Sequence, residues 1–150
     1  MFAAMRDQGS ARAIAPALTL LRETGNAIVA FGIEGEPGYG IFQSARLEPK
    51  KPELYGVAPE AIRGGMPSIL RQEAPDIAVV GISTFDASVD RFVFAGAEQH
   101  GIPVACIVES WPHLWLASFG ARDLALYKRA ARVFAFDELS REKFAEVGFR

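Results

Sequence analysis

The chain has 150 residues, of which 50% are hydrophobic, and its formal net charge is −2. This length and apolar content suffice for one stable core, and the mixed charges give no electrostatic case for binding nucleic acid. The apolar runs are far shorter than the ~20 residues that span a bilayer, and the first residues lack the order of a secretory signal. A single cysteine excludes an internal disulfide. These features predict one cytoplasmic domain over residues 1–150.

Three elements follow one another at the N-terminus. The run Phe2-Ala3-Ala4-Met5 is typical of a short strand. A helix with Ser10 as its N-cap is predicted up to about Thr24, because apolar residues recur there at helical spacing. The run from Asn26 to Phe31 then predicts a second strand.

The next part of the chain carries weaker signals. The glycine- and proline-rich residues 32–40 predict a mobile loop near a cleft, since they do not open a convincing helix. Residues 41–57 predict irregular chain with two short strand-like pieces. Pro59 and Pro67 each predict the first turn of a short helix.

Residues 75–110 form the clearest unit, which consists of a strand, a helix and a second strand. The runs Ile77–Ile82 and Val104–Val108 are rich in β-branched residues, and a crossover that is mainly helical joins them. Such runs are typical of neighbouring parallel strands that are buried on both faces of a sheet. Cys106 lies in the middle of the second run, where we expect a small buried hydrophobe.

The alternation of strands and helices continues to the C-terminus. A loop at 111–116 precedes a predicted helix from Ala121 to Ala131, a strand from Arg132 to Asp137, and a last helix from Ser140, its N-cap, to Val147. This alternation predicts an α/β protein, specifically a Rossmann-like three-layer sandwich with a mainly parallel sheet.

Candidate site residues lie where the predicted strands end. Ligands of parallel sheets bind beyond the carboxyl ends of the strands. Ser83, Thr84, Glu109 and Ser110 fall at those ends. Glu109 is the leading candidate for a catalytic acid or base, with a structural role in holding a loop as an equal alternative. Ser83 and Thr84, together with Asp86, either bind a sugar hydroxyl or cap the following helix.

A second candidate group opens the first predicted helix. The backbone N–H groups of Gly9 and Ser10 suit a phosphate or a carboxylate, and Arg12 is an assisting cation in the first turn. The sequence contains neither the dinucleotide-binding fingerprint nor the P-loop pattern, so no cofactor is predicted.

The aromatic segment after Glu109 is the third candidate. Trp111 and His113 lie in a loop that either contributes to a sugar site or packs over the end of the sheet or against another domain. His113 is the second candidate for a catalytic base. The chain has two histidines without the spacing of metal ligands, so no metal site is predicted.

Four segments carry patterns that occur together in one superfamily. Gly9 to Gly25 matches a glycine loop with a first helix that ends in R-x-x-G-H, although Asn26 stands in place of the histidine. Pro75 to Gly81 matches an R-P-D strand, Gly101 to Pro103 a G-I-P strand entry, and Val133 to Gly148 a V-hydrophobic-V-x-S…G segment. In order and spacing they resemble the N-terminal domain of the GT-B glycosyltransferases, which include the UDP-N-acetylglucosamine 2-epimerase relatives.

The resemblance implies that residues 1–150 are the acceptor-side half of a two-domain enzyme. In that family the C-terminal domain holds most contacts to the donor. The implied function is sugar transfer from a nucleotide-diphosphate donor to a sugar acceptor, with the isolated half inactive. No nucleic acid and no membrane enters as a partner.

Two alternatives remain open. Val108-Glu109-Ser110 resembles the V-E-A of the 2-epimerases, where that glutamate serves in the active site, but those enzymes carry an acidic residue where this chain has Ile82. The absence of that carboxylate disfavours an epimerase-like fragment. The other alternative is a non-catalytic binding or assembly module that forms a homodimer through the Trp111–Trp115 surface.

Overall fold

The computed structural model describes residues 1–83, 86–109 and 120–149. Within these ranges five strands form one sheet in which all pairings are parallel, in the order β2-β1-β3-β4-β5. The strands are β1 (Phe2–Ala4), β2 (Val29–Phe31), β3 (Ala78–Val80), β4 (Val104–Val108) and β5 (Arg132–Ala135). An isolated parallel bridge between Phe31 and Lys50 extends the sheet beyond β2. The Rossmann-like α/β prediction is therefore confirmed.

Helices cover both faces of this sheet. They are α1 (Gln8–Glu23), α2 (Pro37–Ser44), α3 (Ile62–Glu73), α4 (Val89–Gln99), α5 (Ala121–Tyr127) and α6 (Glu138–Glu146), with 3₁₀ turns at Pro52–Tyr55 and Pro59–Ala61. On one face, Ala11, Ala15 and Leu18 of α1 pack against the sheet. On the other face, α3, α4 and α5 build the larger core, in which Cys106 is fully buried. That burial raises the pKa of the Cys106 thiol, so it is a packing residue as expected.

The connections of β1 and β3 depart to opposite faces of the sheet. Helix α1 follows β1 on one face, whereas α4 follows β3 on the other, and the two strands are neighbours. This is the switch point at which a doubly wound sheet leaves a crevice beyond its carboxyl ends. A site is therefore expected between the chain segments that follow β1 and β3.

The helix starts differ from the predictions, because other side chains act as caps. Helix α1 begins two residues before Ser10, which lies inside the helix and is buried. The N-cap of α4 is Ser88, whose hydroxyl accepts a hydrogen bond from the backbone N–H of Arg91, so neither Ser83 nor Asp86 caps this helix. In α6, the Asp137 carboxylate accepts from the N–H of Ser140, which corrects the cap assigned to Ser140.

The prediction for residues 32–57 is wrong at two places. The glycine-rich stretch contains the start of α2, which begins at Pro37 and includes Ile41. A proline at the first position is already set for a helix, and Gly38 then packs directly onto the backbone after β1. The second strand-like piece, around Leu54, is a 3₁₀ turn. Pro67 lies inside α3 rather than in a first turn, since that helix begins at Ile62.

Candidate functional site

The first contact at the switch point joins Ser10 to Glu109. The Ser10 hydroxyl donates a hydrogen bond of 2.8 Å to Oε2 of Glu109, although 99 positions separate the two residues. Gly9 lies so close that a Cβ there would be 2.6 Å from Cγ of Glu109. Three of the residues singled out from sequence are therefore neighbours in the structure.

This contact also bears on the two interpretations of Glu109. Gly9 and Ser10 are in the first turn of α1, where the helix dipole favours a negative charge. The carboxylate of Glu109 therefore occupies the place that the sequence suggested for a bound phosphate or carboxylate. It holds the end of β4 to the start of α1, as the structural alternative requires, and it lies at the crevice, as the catalytic alternative requires.

Asp90 is the residue that sequence reasoning missed. Its side chain is buried, with Oδ1 accepting from the backbone N–H of Gly81 at 2.9 Å and Oδ2 accepting from that of Arg6 at 3.1 Å. These hydrogen bonds connect the ends of β3 and β1. Burial raises the pKa of Asp90 to about 7, although the backbone donors act in the opposite direction. The available signal was an acidic residue in the first turn of a helix that follows a strand end.

Gly81 allows these groups to converge. A Cβ on Gly81 would lie 2.7 Å from Oγ of Ser10 and 2.8 Å from Oδ1 of Asp90. Any larger residue would push the serine and the carboxylate apart. The glycine that the motif comparison marked at the end of β3 therefore has a steric reason to be present.

Ser83 is held in place through its backbone. Its N–H donates to the hydroxyl of Tyr127 at 3.0 Å, and that hydroxyl donates to the Ser83 carbonyl at 2.9 Å. Nε of Arg91 donates to the same carbonyl at 3.1 Å. Helices α4 and α5 therefore position the chain that follows β3. A role for the Ser83 hydroxyl in binding a substrate remains a prediction.

Arg12 does not join this group. It is exposed on α1 and lines the groove between α1 and α2, together with Ile41 and Ala45. Within residues 1–83, 86–109 and 120–149, no hydrogen bond or ion pair joins Arg12 to Ser10 or Glu109. The predictions for Thr84, Ser110, Trp111 and His113 lie outside the described residues.

The crevice is acidic. Glu109 lies there, and in the turn that follows β1 Arg6 is paired to Asp7 at 2.9 Å and to Glu36 at 3.6 Å. Burial raises the pKa of Glu36, and its Oε2 is buried with no hydrogen-bond partner among the described residues. Carboxylates accept hydrogen bonds from neutral hydroxyls, and serines both accept and donate them, whereas the negative charge of the carboxylates repels phosphates. The arrangement therefore suits a polyhydroxylated ligand better than a pyrophosphate.

We expect Ser10→Ala to lower the free energy of unfolding by roughly 1–2 kcal/mol, because it removes a buried donor to a carboxylate. The same substitution in a Glu109→Ala background is expected to cost clearly less, since the acceptor is then absent. Denaturant unfolding of the four proteins measures this coupling. Additive losses would show that the two side chains do not interact in solution.

The described ranges, residues 1–83, 86–109 and 120–149, also bear on other kinds of site. They contain no group of three or more histidine, cysteine or acidic side chains arranged to hold a metal ion. None of the helices found there is both long and apolar enough to cross a membrane.

The fold and the contacts at the switch point define a Rossmann-like α/β domain. Two solved structures are similar to this chain: UDP-GlcNAc 2-epimerase from Neisseria meningitidis bound to UDP-GlcNAc, with a TM-score of 0.69 and 14% identity, and the S. aureus MnaA-UDP co-structure, with a TM-score of 0.68 and 13% identity. Each alignment covers 99% of this chain but only 43% and 42% of the other chains, so this chain spans about two fifths of their length.

Sequence comparisons add no closer relative. No family model matches the chain, and no curated protein matches it. The resemblance inferred from the short motifs is confirmed at the level of the fold, since sequence identities of 13% and 14% carry no more than that.

Proposed function

We propose that this chain is the N-terminal, acceptor-side domain of a GT-B-like enzyme that acts on nucleotide-diphosphate sugars. The observation that carries the proposal is the contact between Ser10 and Glu109 at the switch point, next to the buried Asp90. It is supported by the likeness in fold to proteins solved with UDP and with UDP-GlcNAc.

The charges near this contact support a division of the ligands between this chain and a second domain. Asp7 and Glu36 pair with Arg6 in the turn that follows β1, and Glu109 contacts the start of α1 just after this turn. A sugar hydroxyl finds hydrogen-bond partners there, whereas the diphosphate of a donor belongs on a second domain with positive groups. In this proposal Glu109 is the base or acid that acts on such a hydroxyl, and the hydrogen bond from Ser10 orients its carboxylate. His113, Trp111, Ser110 and Thr84 remain candidates for the same crevice.

A 2-epimerase-like half is the second candidate. The fold neighbour solved with UDP-GlcNAc favours it. Ile82 opposes it, because this side chain is apolar and buried where those enzymes carry an acidic residue. Asp90 is a carboxylate beside Gly81, but both of its oxygens face backbone N–H groups rather than the crevice. We therefore prefer sugar transfer over epimerisation as the proposed reaction.

The coding sequence distinguishes the enzyme half from a non-catalytic module. We expect the reading frame to continue past the codon for Arg150 into a second α/β domain. A stop codon at that point would favour the binding or assembly module.

The experiment on Glu109 uses this chain together with the proposed second domain. Glu109→Gln keeps the size of the side chain and its hydrogen bond from Ser10 but removes the ionisable group, so we expect turnover to fall by roughly 10²- to 10⁴-fold with unchanged thermal stability. Glu23→Gln, at the exposed end of α1, is the matched control and is expected to retain wild-type turnover. Wild-type turnover in Glu109→Gln would reduce Glu109 to its structural role.

A binding measurement on residues 1–150 tests the proposal that the donor binds mainly to the other domain. UDP is expected to cause no chemical-shift changes at Ser10, Gly81 or Glu109 in heteronuclear NMR spectra, because the donor contacts lie on the other domain. Saturable shifts at these three residues would place the donor site on this half and contradict the proposal.

A further inference from the structure

A second cavity lies in the outer layer of helices, and neither Ser10 nor Glu109 lines it. It has a volume of about 460 Å³ and is lined by α3, α4 and α5. We call it the arginine trough, after the four arginines that line it: Arg63, Arg91, Arg122 and Arg129. Its volume is within the range of small-molecule sites, which is roughly 300–1,000 Å³.

The four arginines divide into two pairs by their partners. Arg91 is held by Asp86 at 2.8 Å and by Asp123, and Arg129 is held by Glu98 at 3.0 Å. Arg63 and Arg122 are exposed, and neither has an ion pair or hydrogen bond within the part of the chain that the structure describes. Two guanidinium groups, one on α3 and one on α5, are therefore available to a ligand in the trough.

The part of the trough formed by α4 carries one aromatic residue and two small ones. These are Phe92, Ala95 and Gly96. Gly96 brings α3 close, because a Cβ at that position would be 3.0 Å from Cδ1 of Leu70 and 3.3 Å from the backbone N of Pro67. Ala95 is exposed, so its small side chain keeps this part of the trough open.

We infer that the arginine trough binds a small organic phosphate, such as a sugar phosphate. A guanidinium group donates two parallel hydrogen bonds to phosphate oxygens, and the volume of the trough leaves room for the rest of a small molecule. Carboxylates neutralise Arg91 and Arg129, so the charge that remains suits one phosphate group rather than an extended polyanion. The inference does not depend on the proposed function, since the trough shares no residue with the Ser10–Glu109 contact.

The test is an NMR titration of the chain with glucose 1-phosphate at low ionic strength, where guanidinium–phosphate attraction is least screened. We expect saturable chemical-shift changes at Ala95, Arg63 and Arg122. Inorganic phosphate is expected to bind more weakly, because it has no sugar ring to contact α4. Arg63→Gln and Arg122→Gln should each weaken glucose 1-phosphate binding by roughly tenfold. Ala95→Leu should block binding without changing the charge.

The control is Arg71→Gln, an exposed arginine of α3 that does not line the trough, and it is expected to bind like the wild type. Shifts that do not saturate, or equal weakening by Arg71→Gln and Arg63→Gln, would reduce the effect to general charge attraction and overturn the inference. So would undiminished binding by Ala95→Leu. The titration is followed at residues of the trough, so a negative result would not affect the test of Glu109, which measures turnover.

Discussion

Gly38→Ala is expected to lower the free energy of unfolding by roughly 3–5 kcal/mol. A Cβ on Gly38 would lie 1.9 Å from the carbonyl oxygen of Met5 and 2.8 Å from its carbonyl carbon. These backbone atoms follow β1, which is paired with β2 on one side and with β3 on the other. They cannot move away from the added methyl group, because the sheet holds β1 in place. The helix would have to move, and the hydrogen bond from the Gly38 N–H to the Arg6 carbonyl would be lost.

The control for this prediction lies in the same helix. A Cβ on Gly40 would meet nothing within 4 Å, and Gly40 is exposed. Gly40→Ala is therefore expected to leave stability unchanged or to raise it by up to about 1 kcal/mol, because alanine favours a helix. Urea or thermal unfolding of the two variants makes the comparison, and similar midpoints would mean that α2 does not dock on β1 as described.

Asp90 is expected to make the protein less stable as the pH rises from 4 to 7. Burial raises the pKa of Asp90 from 3.8 to about 7 in the folded protein. The folded state therefore holds the proton more tightly than the unfolded chain, so the stabilisation is complete below pH 3.8 and is lost as the pH approaches 7. A shift of this size corresponds to about 4 kcal/mol over that range.

Asp90→Asn isolates this effect. Asparagine has almost the same shape but does not ionise, so its unfolding free energy should vary much less between pH 4 and 7 than that of the wild type. Glu36, whose pKa is also raised by burial, is present in both proteins and cancels in the comparison. Denaturant unfolding at several pH values provides the two curves. Parallel curves would show that Asp90 does not carry a raised pKa in the folded protein.

Both predictions concern the turn that follows β1. Gly38 docks on the carbonyls of Met5 and Arg6, and Asp90 accepts a hydrogen bond from the N–H of Arg6. The start of α1, with Ser10 and its contact to Glu109, follows within four residues. The position of the candidate site therefore depends on packing by α2 and α4, which lie on opposite faces of the sheet.

Local patterns were reliable where a strand is buried on both faces. Strand β4 has the predicted bounds, since its β-branched run leaves little alternative. They were least reliable at α2, where Pro37 and Gly38 signalled a turn although they begin a helix. Glycine disfavours a helix in isolation, but contact with the backbone after β1 outweighs that preference.

The sequence alone determined the alternation of strands and helices, and with it the edge of the sheet at which Ser83 and Glu109 lie. This is because periodicity and turn residues act over a few positions and the handedness of crossovers limits the topology. Only the tertiary structure decided that Ser10 meets Glu109 across 99 positions and that the buried Asp90 joins the ends of β1 and β3. Such contacts depend on how α1 and α4 settle on opposite faces of the sheet, and no local pattern records that arrangement.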